Sequence, residues 1–388
     1  MSACAQDQEL QQALSLFAEM CKLGLLPNTV SFNACLTACE KGGSWQAAVS
    51  LLEAMHMASV EQKVTSFNAA ISACEKCRRW QQALILLKRM RGVSLQPNEI
   101  SFSAGISACE KKAKWQSALL LLEEMSTAGL KPNLVSFNAA ISACEKGRQW
   151  QRALWVFNQI RAAGLERDVI SFNAAISACA SCGQVEQALL LLDMMCDDGL
   201  EQDVITFSAA IAACANSGHW QRALSFLGEM RKKDVQPNLI SYTSAIAACA
   251  KGGHWERASS LLGEMRSEGV TPNLISYSSA IAACENSGQW TYAHRLLSQM
   301  RKSSIVPNVV ALNSAISSCE KSGHWPAALL VLEEARREEG GKLDEMSYNL
   351  AITACEKGGE WWRGLALLDK YFDSQTSRRD RINEIRAA

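Results

Sequence analysis

Apolar residues recur along this chain at helical spacing, in paired segments separated by glycine-containing turns. Within 134–168, Phe137, Ile141 and Cys144 lie at i, i+4 and i+7, which is one face of an α-helix. Gly147 ends this segment, and a second apolar stripe then follows and closes near Gly164. The pattern predicts a hairpin of two helices about every 35 residues.

The hairpin pattern repeats along most of the chain. Cysteines recur every 35 residues at Cys4, Cys39, Cys74, Cys109, Cys144, Cys179, Cys214, Cys249, Cys284 and Cys319, and Cys355 follows after 36. Tryptophans keep the same spacing at Trp45, Trp80, Trp115, Trp150, Trp220, Trp255, Trp290, Trp325 and Trp361, with Val185 in the one gap. Because one hairpin cannot bury its apolar faces alone, stacked neighbours must form the core. We therefore expect an all-α fold, an α-solenoid (right-handed superhelix) of about eleven helix-turn-helix repeats.

The predicted units follow directly from this period. They are a partial repeat at 1–28, ten units at 29–63, 64–98, 99–133, 134–168, 169–203, 204–238, 239–273, 274–308, 309–344 and 345–379, and a polar tail at 380–388. The ninth unit carries a one-residue insertion around 338–341. Because the chain opens inside a first helix, we expect a truncated product with an uncapped apolar face, and we expect the polar stretch 373–388 to shield the other end.

Charge argues against indiscriminate binding of polyanions. The 39 Lys and Arg residues balance 39 Asp and Glu residues, so the chain as a whole carries no strong field. Any contact with RNA must then come from local placement of polar and cationic groups. The sequence contains no run of about 18 apolar residues, so no membrane span is predicted. No targeting peptide is visible at the N-terminus.

The 16 cysteines are interpreted as small core residues in a reducing compartment. Two pairs, Cys74/Cys77 and Cys179/Cys182, have the spacing of zinc ligands, but no His or Cys completes either set. We expect no metal and no other cofactor. The tryptophans are interpreted as core residues that start the second helix, with a stacking platform for bases as the alternative. The three histidines that share one position between the two helices of a unit are expected at the surface: His219, His254 and His324.

The period and two local motifs resemble the pentatricopeptide repeat family. They are Ser-Phe-Asn-Ala-Ala-Ile-Ser-Ala-Cys at 136–144 and Gly-Leu-Lys-Pro-Asn at 129–133, whereas tetratricopeptide repeats have 34 residues and other signature positions. Departures are a Trp that opens the second helix and an acidic row at Glu40, Glu75, Glu110 and Glu145. The resemblance implies single-stranded RNA as the partner, a role in RNA processing, stability, editing or translation in a chloroplast or mitochondrion, and a recruited processing or editing enzyme as a further partner.

In that family the fifth and last residues of each unit contact one base. The resemblance assigns this role to the pairs Asn68/Asn98, Ser103/Asn133, Asn138/Asp168, Asn173/Asp203, Ser208/Asn238, Thr243/Asn273, Ser278/Asn308 and Asn313/Asp344. The family's pairing rules then predict the RNA core 5′-YAUUAAAU-3′. Two further pairs, Asn33/Lys63 and Asn349/Arg379, fall outside the rules and should discriminate weakly.

Spacing adds further candidates on the first helix. Asn138, Ser142 and Lys146 follow at i, i+4 and i+8 and are expected to share a face opposite the apolar stripe. Bases are expected to be sandwiched by Val135, Ile170, Ile205, Ile240 and Ile275. Phosphate contacts are expected from Lys41, Lys76, Lys111, Lys146, Lys251, Lys321 and Lys357.

Each assignment has a plain alternative. Asn and Asp at the end of a unit are also the residues that cap helices and form turns. The lysines are also suited to a solvated helix end, and the adjacent glutamates partly cancel their charge. Restriction of the fifth residue to Asn, Ser or Thr in all ten units favours base contact over structure alone.

Two other function classes stay open at this point. The main alternative to RNA binding is a protein-binding helical scaffold. Catalysis ranks third, because no deaminase-type His-x-Glu with Cys-x-x-Cys and no acidic nuclease cluster follows the repeats.

Overall fold

The computed structural model describes residues 2–337 and 343–367, which are helical with short connections and contain no strand. The helices are α1 (Ser2–Lys22), α2 (Thr29–Gly42), α3 (Trp45–Met57), α4 (Val64–Lys76), α5 (Trp80–Gly92), α6 (Glu99–Glu110), α7 (Trp115–Thr127), α8 (Leu134–Lys146), α9 (Trp150–Ala162), α10 (Val169–Ser181), α11 (Val185–Asp197), α12 (Val204–Ser217), α13 (Trp220–Lys232), α14 (Leu239–Lys251), α15 (Trp255–Ser267), α16 (Leu274–Ser287), α17 (Trp290–Lys302), α18 (Val309–Lys321), α19 (Trp325–Arg337) and α20 (Glu345–Lys357). The predicted insertion around 338–341, Arg379 and the polar tail lie outside the described residues. None of the described helices is long and apolar enough to cross a membrane.

Two compact units make up the described chain. The first comprises residues 2–182 and 190–201, and the second comprises 183–189 with the described residues from 202 onward. In the first unit, α2, α4, α6, α8 and α10 pack side by side in chain order, and each of α3, α5, α7 and α9 packs on the first helix of its own hairpin. In the second unit, α12, α14, α16, α18 and α20 pack in the same way with α13, α15, α17 and α19. The predicted all-α repeat fold is confirmed.

The core of each hairpin uses both helices. Phe137, Ile141 and Cys144 of α8 are buried, as are Phe157 and Ile160 of α9. At the start of the second helix a fully buried alanine recurs at Ala48, Ala83, Ala118, Ala153, Ala223 and Ala258. Alanine has the smallest side chain that still favours a helix, so it allows the paired helices to approach closely.

The periodic cysteines from Cys39 to Cys355 are buried, which confirms their interpretation as core residues; the side chain of Cys4 lies outside the described set. Burial raises the pKa of the Cys74 thiol to about 12 and that of Cys144 to about 11. The thiols are therefore neutral and poorly nucleophilic. Among the described residues, no group of three or more His, Cys, Asp or Glu side chains is arranged to hold a metal ion.

The tryptophans of the row from Trp45 to Trp325 are only half-buried, and Trp361 is 65% exposed, so their interpretation as core residues was only partly correct. Four of them contact the residue before the next tryptophan of the row. The Arg79 guanidinium lies 5.3 Å from the ring of Trp45, and the His254 ring lies 4.1 Å from that of Trp220. Equivalent contacts join Lys114 to Trp80 and His324 to Trp290. Two of the three histidines expected at the surface therefore stack between repeats.

Candidate RNA-binding face

Wherever the described chain has Asn or Asp as the last residue of a unit, that side chain caps the next first helix, whereas Lys63 makes no side-chain cap. Oδ1 of Asn98 accepts the N–H of Ser101 at 3.0 Å, and Oδ1 of Asp168 accepts that of Ser171 at 2.8 Å. The same bond is made by Asn28, Asn133, Asp203, Asn238, Asn273, Asn308 and Asp344. The helix-capping alternative is therefore correct. It does not exclude base contact, because capping occupies only one of the two polar atoms of the side chain.

The identity of the second polar atom follows from the cap. A backbone N–H can only donate, so the capping atom of an asparagine must be its oxygen, and Nδ2 is the atom left over. In an aspartate the atom left over is Oδ2. A change from Asn to Asp at the end of a unit thus replaces a hydrogen-bond donor by an acceptor and leaves the cap intact.

The fifth residue of a unit lies close to the capping residue that ends the same unit, about 30 positions later in the sequence. Nδ2 of Asn68 lies 3.2 Å from Oδ1 of Asn98, and Nδ2 of Asn138 lies 3.2 Å from Oδ1 of Asp168. Asn313 is 3.1 Å from Asp344 in the same way. The structure therefore brings together, within single repeats, residues that the sequence analysis paired from a resemblance.

The hydroxyl pairs are looser. The Oγ atoms of Ser208 and Ser278 lie 3.4 Å from Oδ1 of Asn238 and Asn308, respectively. Ser103 and Thr243 instead contact the hydroxyl of the next unit's third residue, Ser136 at 2.7 Å and Ser276 at 2.9 Å. Asn173 and Asp203 belong to different compact units, where Asn173 is buried in α10 and Asp203 caps α12.

A third residue, missed by the sequence analysis, joins each pair. Ser171 is fully buried, and its hydroxyl lies 2.7 Å from Oδ1 of Asn138 and 2.6 Å from Oδ1 of Asp168. A hydroxyl has one proton, so it serves one of these two oxygens at a time. The signal was present, because the third residue is Ser or Thr in nine of ten units. The exception is Ala311, and there Ser278 bonds to the carbonyl oxygen of Leu274 at 2.8 Å instead.

The expected exposed face of the first helix is largely absent. Asn68 and Asn173 are only 8% exposed and Ser208 only 6%, while Asn138 and Ser142 are half-buried and only Lys146 is exposed. The reason is that each interior first helix packs against first helices on both sides as well as against its own second helix. The polar pairs therefore lie recessed between neighbouring helices and not on an open surface.

A row of apolar residues borders these recesses. The second residue of nine units is 59–75% exposed, and we call this set the second-position row: Val30, Ile100, Val135, Ile170, Ile205, Ile240, Ile275, Val310 and Met346. Large apolar side chains in such a repeated exposed register commonly mark a binding surface. Their position beside the polar pairs suits them to contact the flat faces of bases.

The lysine row is largely paired with the preceding repeat. Nζ of Lys111 lies 2.9 Å from Glu75, that of Lys146 2.8 Å from Glu110, and that of Lys357 2.8 Å from Glu320. Lys321 and Glu285 are 3.8 Å apart, and Lys251 donates to the carbonyl oxygen of Asn216 at 2.8 Å. For Lys41 and Lys76 the described part of the chain provides no ion pair. Most of these cations would have to exchange a carboxylate for a phosphate.

One carboxylate of the face has a shifted ionisation. The pKa of Asp344 is lowered from its ordinary value: desolvation, the largest single influence, acts to raise it, but hydrogen bonds from Ser347 and Asn313 together outweigh that effect. Asp344 is therefore ionised at neutral pH. An ionised carboxylate accepts hydrogen bonds and donates none.

Known structures share the helical-repeat fold. The crystal structure of the pentatricopeptide repeat protein PPR10, with three cysteine-to-serine substitutions and bound to an 18-nucleotide psaJ RNA element, is 20% identical with a TM-score of 0.75 over 94% of this chain and 53% of its own. PPR10 from maize is 19% identical with a TM-score of 0.54 over 94% of this chain and 61% of its own. The chain thus spans little more than half the length of these proteins, and at this identity the likeness concerns the fold.

Sequence-family comparisons agree with the fold. The family model described as the pentacotripeptide-repeat region of PRORP matches residues 26–195, and the model of the pentatricopeptide repeat domain matches 1–41, 190–252, 229–287 and 260–322. A comparison with curated proteins finds no match. The two family models together cover the chain from residue 1 to residue 322. This chain belongs to the pentatricopeptide repeat family.

Proposed function

We propose that this protein binds single-stranded RNA and reads one base per repeat through the fifth and last residues. The observation that carries the proposal is that the two polar atoms of the Asn or Asp that ends a unit have different roles. Where the last residue is Asn or Asp, one of its polar atoms caps the next described helix, while the other atom is a donor in Asn98 and an acceptor in Asp168. Capping alone does not require this choice, because Asn and Asp both cap a helix through an oxygen.

The Asn138/Asp168 pair has the polarity of a uracil reader. Its carboxylate presents an acceptor that matches the N3–H of uracil, and the second hydrogen on Nδ2 of Asn138 matches a uracil carbonyl oxygen. Cytosine has a lone pair at N3, which would face the carboxylate unfavourably. The Asn68/Asn98 pair instead presents amide donors to either pyrimidine, which agrees with its assignment to Y.

The Ser208/Asn238 pair has room and polarity for adenine. The hydroxyl of Ser208 lies 3.0 Å from that of Ser241, which in turn is 2.9 Å from Oδ1 of Asn238. Nδ2 of Asn238 is then placed to donate to N1 of adenine, and the small hydroxyl leaves space for the larger purine while accepting from its amino group. With the RNA 5′ end at the protein N-terminus, the eight pairs specify 5′-YAUUAAAU-3′ by the family's pairing rules.

The deciding experiment compares affinities for this RNA and for a scrambled version by fluorescence anisotropy. The double substitution Ser208→Asn with Asn238→Asp should change the preferred base at that step alone from A to U. We expect a discrimination of about 1–3 kcal/mol, which is roughly 5- to 150-fold in affinity. A matched control is Ser225→Asn on the outer helix α13, which should alter neither affinity nor preference.

Equal affinity for the two RNAs, or an unchanged preference in the double variant, would contradict the proposal. The protein-binding scaffold would then be the better assignment. The proposed cellular role is that of an adaptor in chloroplast or mitochondrial RNA processing, stability, editing or translation, with any catalysis supplied by a recruited enzyme. Sequencing of RNA that copurifies with the protein from each organelle tests that role, and a lack of enriched transcripts would contradict it.

A further inference from the structure

Four consecutive second helices expose a large apolar side chain at the same register. We call Ile85 of α5, Leu120 of α7, Trp155 of α9 and Leu190 of α11 the outer strip; they are spaced by 35 residues and are 51–58% exposed. All four lie in the first compact unit. The same register is occupied by Ser50 before the strip and by Ser225, Ser260 and Arg295 after it.

The outer strip is distinct from the RNA-binding face. It lies on second helices, whereas the polar pairs and the second-position row lie at the starts of first helices. A single exposed leucine is ordinary on a protein surface, but an apolar row in one register on four consecutive hairpins is not. Since about half of each side chain stays exposed after the hairpins pack, the row suits contact with another molecule.

A groove lies in the middle of the strip. It has a volume of about 540 Å³ between α7 and α9, and it is lined by Leu119, Leu122, Phe137, Arg152 and Trp155, among others. Its lining combines aliphatic and aromatic side chains with two charged ones of opposite sign, Arg152 and Glu123. Trp155 stands at the edge of this groove and is itself half-exposed, so groove and ring are adjacent halves of one fitting surface.

The polar positions next to the strip show which molecule fits. Three residues after each strip residue stand Lys88, Glu123, Asn158 and Asp193, and all four are exposed. If a second copy of the strip faces the first in the reverse order of helices, Asp193 of that copy lies opposite Lys88, and its Asn158 lies opposite Glu123. No like charges meet. The patch is therefore complementary to itself under a two-fold rotation.

We propose that the outer strip is an interface between two copies of this chain, related by a two-fold axis that runs between α7 and α9 and parallel to them. Ile85 of one copy faces Leu190 of the second copy, and Leu120 faces Trp155. Trp155 of each copy enters the groove between α7 and α9 of the other. Lys88 pairs with Asp193 at both ends of the interface, so every contact occurs twice.

Trp155 is the side chain that should dominate this association. Tryptophan buries a large area when it enters a pocket, and buried tryptophans near the centre of an interface commonly carry most of the binding energy. The ion pairs at the ends are solvated and should chiefly fix the order in which the helices face each other. The strip residues and the pairs thus make separable contributions.

The test is the mass of the full chain in solution, measured by light scattering after size-exclusion chromatography and by sedimentation equilibrium. We expect twice the chain mass of 42.3 kDa at tens of micromolar. Trp155→Glu, and independently Leu120→Gln, should raise the dissociation constant at least tenfold while helical content and RNA affinity stay unchanged. Leu330→Glu is the control, because Leu330 has the same register and is 47% exposed but belongs to the second unit.

A charge exchange tests the orientation. Lys88→Asp and Asp193→Lys should each weaken the dimer severalfold, and the two substitutions together should restore it. A monomeric wild-type chain at these concentrations, or a dimer that both Trp155→Glu and Leu120→Gln leave intact, overturns the proposal. Failure of the combined charge exchange to restore association overturns the two-fold arrangement. RNA binding is measured separately on the same samples and depends on none of these outcomes.

Discussion

The ammonium group of Lys146 lies 2.8 Å from a carboxylate oxygen of Glu110, which belongs to the preceding repeat. Sequence neighbours suggested only that adjacent glutamates dilute the lysine charge. The structure shows specific cross-repeat pairs, because residues 36 positions apart are brought together when hairpins stack. Both groups are partly exposed, so the pair contributes little to stability. If Lys146 contacts a phosphate of bound RNA, it must first leave this carboxylate.

Glu110→Gln should therefore strengthen RNA binding a few-fold, because Lys146 no longer has to leave a carboxylate. One additional phosphate contact would also steepen the dependence of affinity on salt by about 0.7 in a plot of log K against log salt concentration. Binding isotherms at several salt concentrations measure both effects. Glu256→Gln on the outer helix α15 removes an equal charge and should leave the slope unchanged; equal slopes for both variants would refute a phosphate role for Lys146.

Ser171→Ala should destabilise the protein by about 1–2 kcal/mol, because the acceptors on Asn138 and Asp168 lose their shared buried donor. Base discrimination at this step should also weaken, since the pair is no longer held in register. Urea denaturation and RNA binding measure the two effects. Unit 309–344 is the one described unit that has no hydroxyl at its third residue. The opposite change, Ala311→Ser, adds it there and should stabilise the protein. If Ser171→Ala costs nothing, the bridging role is wrong.

The buried thiols should make the protein sensitive to alkaline pH. Burial raises the pKa of Cys109 and of Cys284 to about 12, from an ordinary value of 9.0. The unfolded chain therefore loses these protons first, so the free energy of unfolding is unaffected below pH 9 and falls as the pH rises from 9 to about 12. Melting temperatures at pH 8 and pH 10.5 measure the loss. Lysines and tyrosines also titrate in this pH range, so the double variant Cys109→Ala with Cys284→Ala serves as the control. Its melting temperature should fall less between pH 8 and pH 10.5 than that of the unchanged protein. An equal fall would contradict the thiol origin.

Changing Cys144 or Cys214 to Ser should cost about 1–3 kcal/mol, because each position then buries a hydroxyl with few partners. Both thiols are fully buried. Alanine at the same positions removes the sulfur without adding a polar group, and comparison of the two variants isolates the polar cost. Chemical denaturation supplies the numbers. A release of stoichiometric zinc on these substitutions would contradict their assignment as core residues.

Deleting the whole unit 239–273 should leave a folded, shorter helical protein, because each hairpin packs only on its neighbours in the stack. After the deletion, Asn238 precedes Leu274 and can cap the helix through Ser276 as it now does through Ser241. Circular dichroism should show the same helicity per residue. A deletion that removes 20 residues of the same stretch breaks the register and should unfold its surroundings. Loss of helicity after the whole-unit deletion would contradict a modular stack.

The fold could be predicted from the sequence because the 35-residue period and the apolar stripe of each helix can be read directly along the chain. Contacts between repeats were harder to foresee, since they join residues 33 to 37 positions apart only after stacking. This is why Ser171 and the Glu110–Lys146 pair were missed as specific contacts, and why the tryptophans were placed too deep in the core. The pairing of Asn138 with Asp168 came from a family resemblance, and the bases assigned to it stay a prediction.

The second-position row gives a thermodynamic signature to ligand binding. Side chains such as Ile170 and Ile240 are more than half exposed to water in the free protein. Hydrated apolar surface contributes positively to the heat capacity, and its removal makes the heat capacity change negative. If bases cover this row, the enthalpy of complex formation should become steadily more negative as temperature rises. The slope should grow with the number of repeats that a given oligonucleotide occupies.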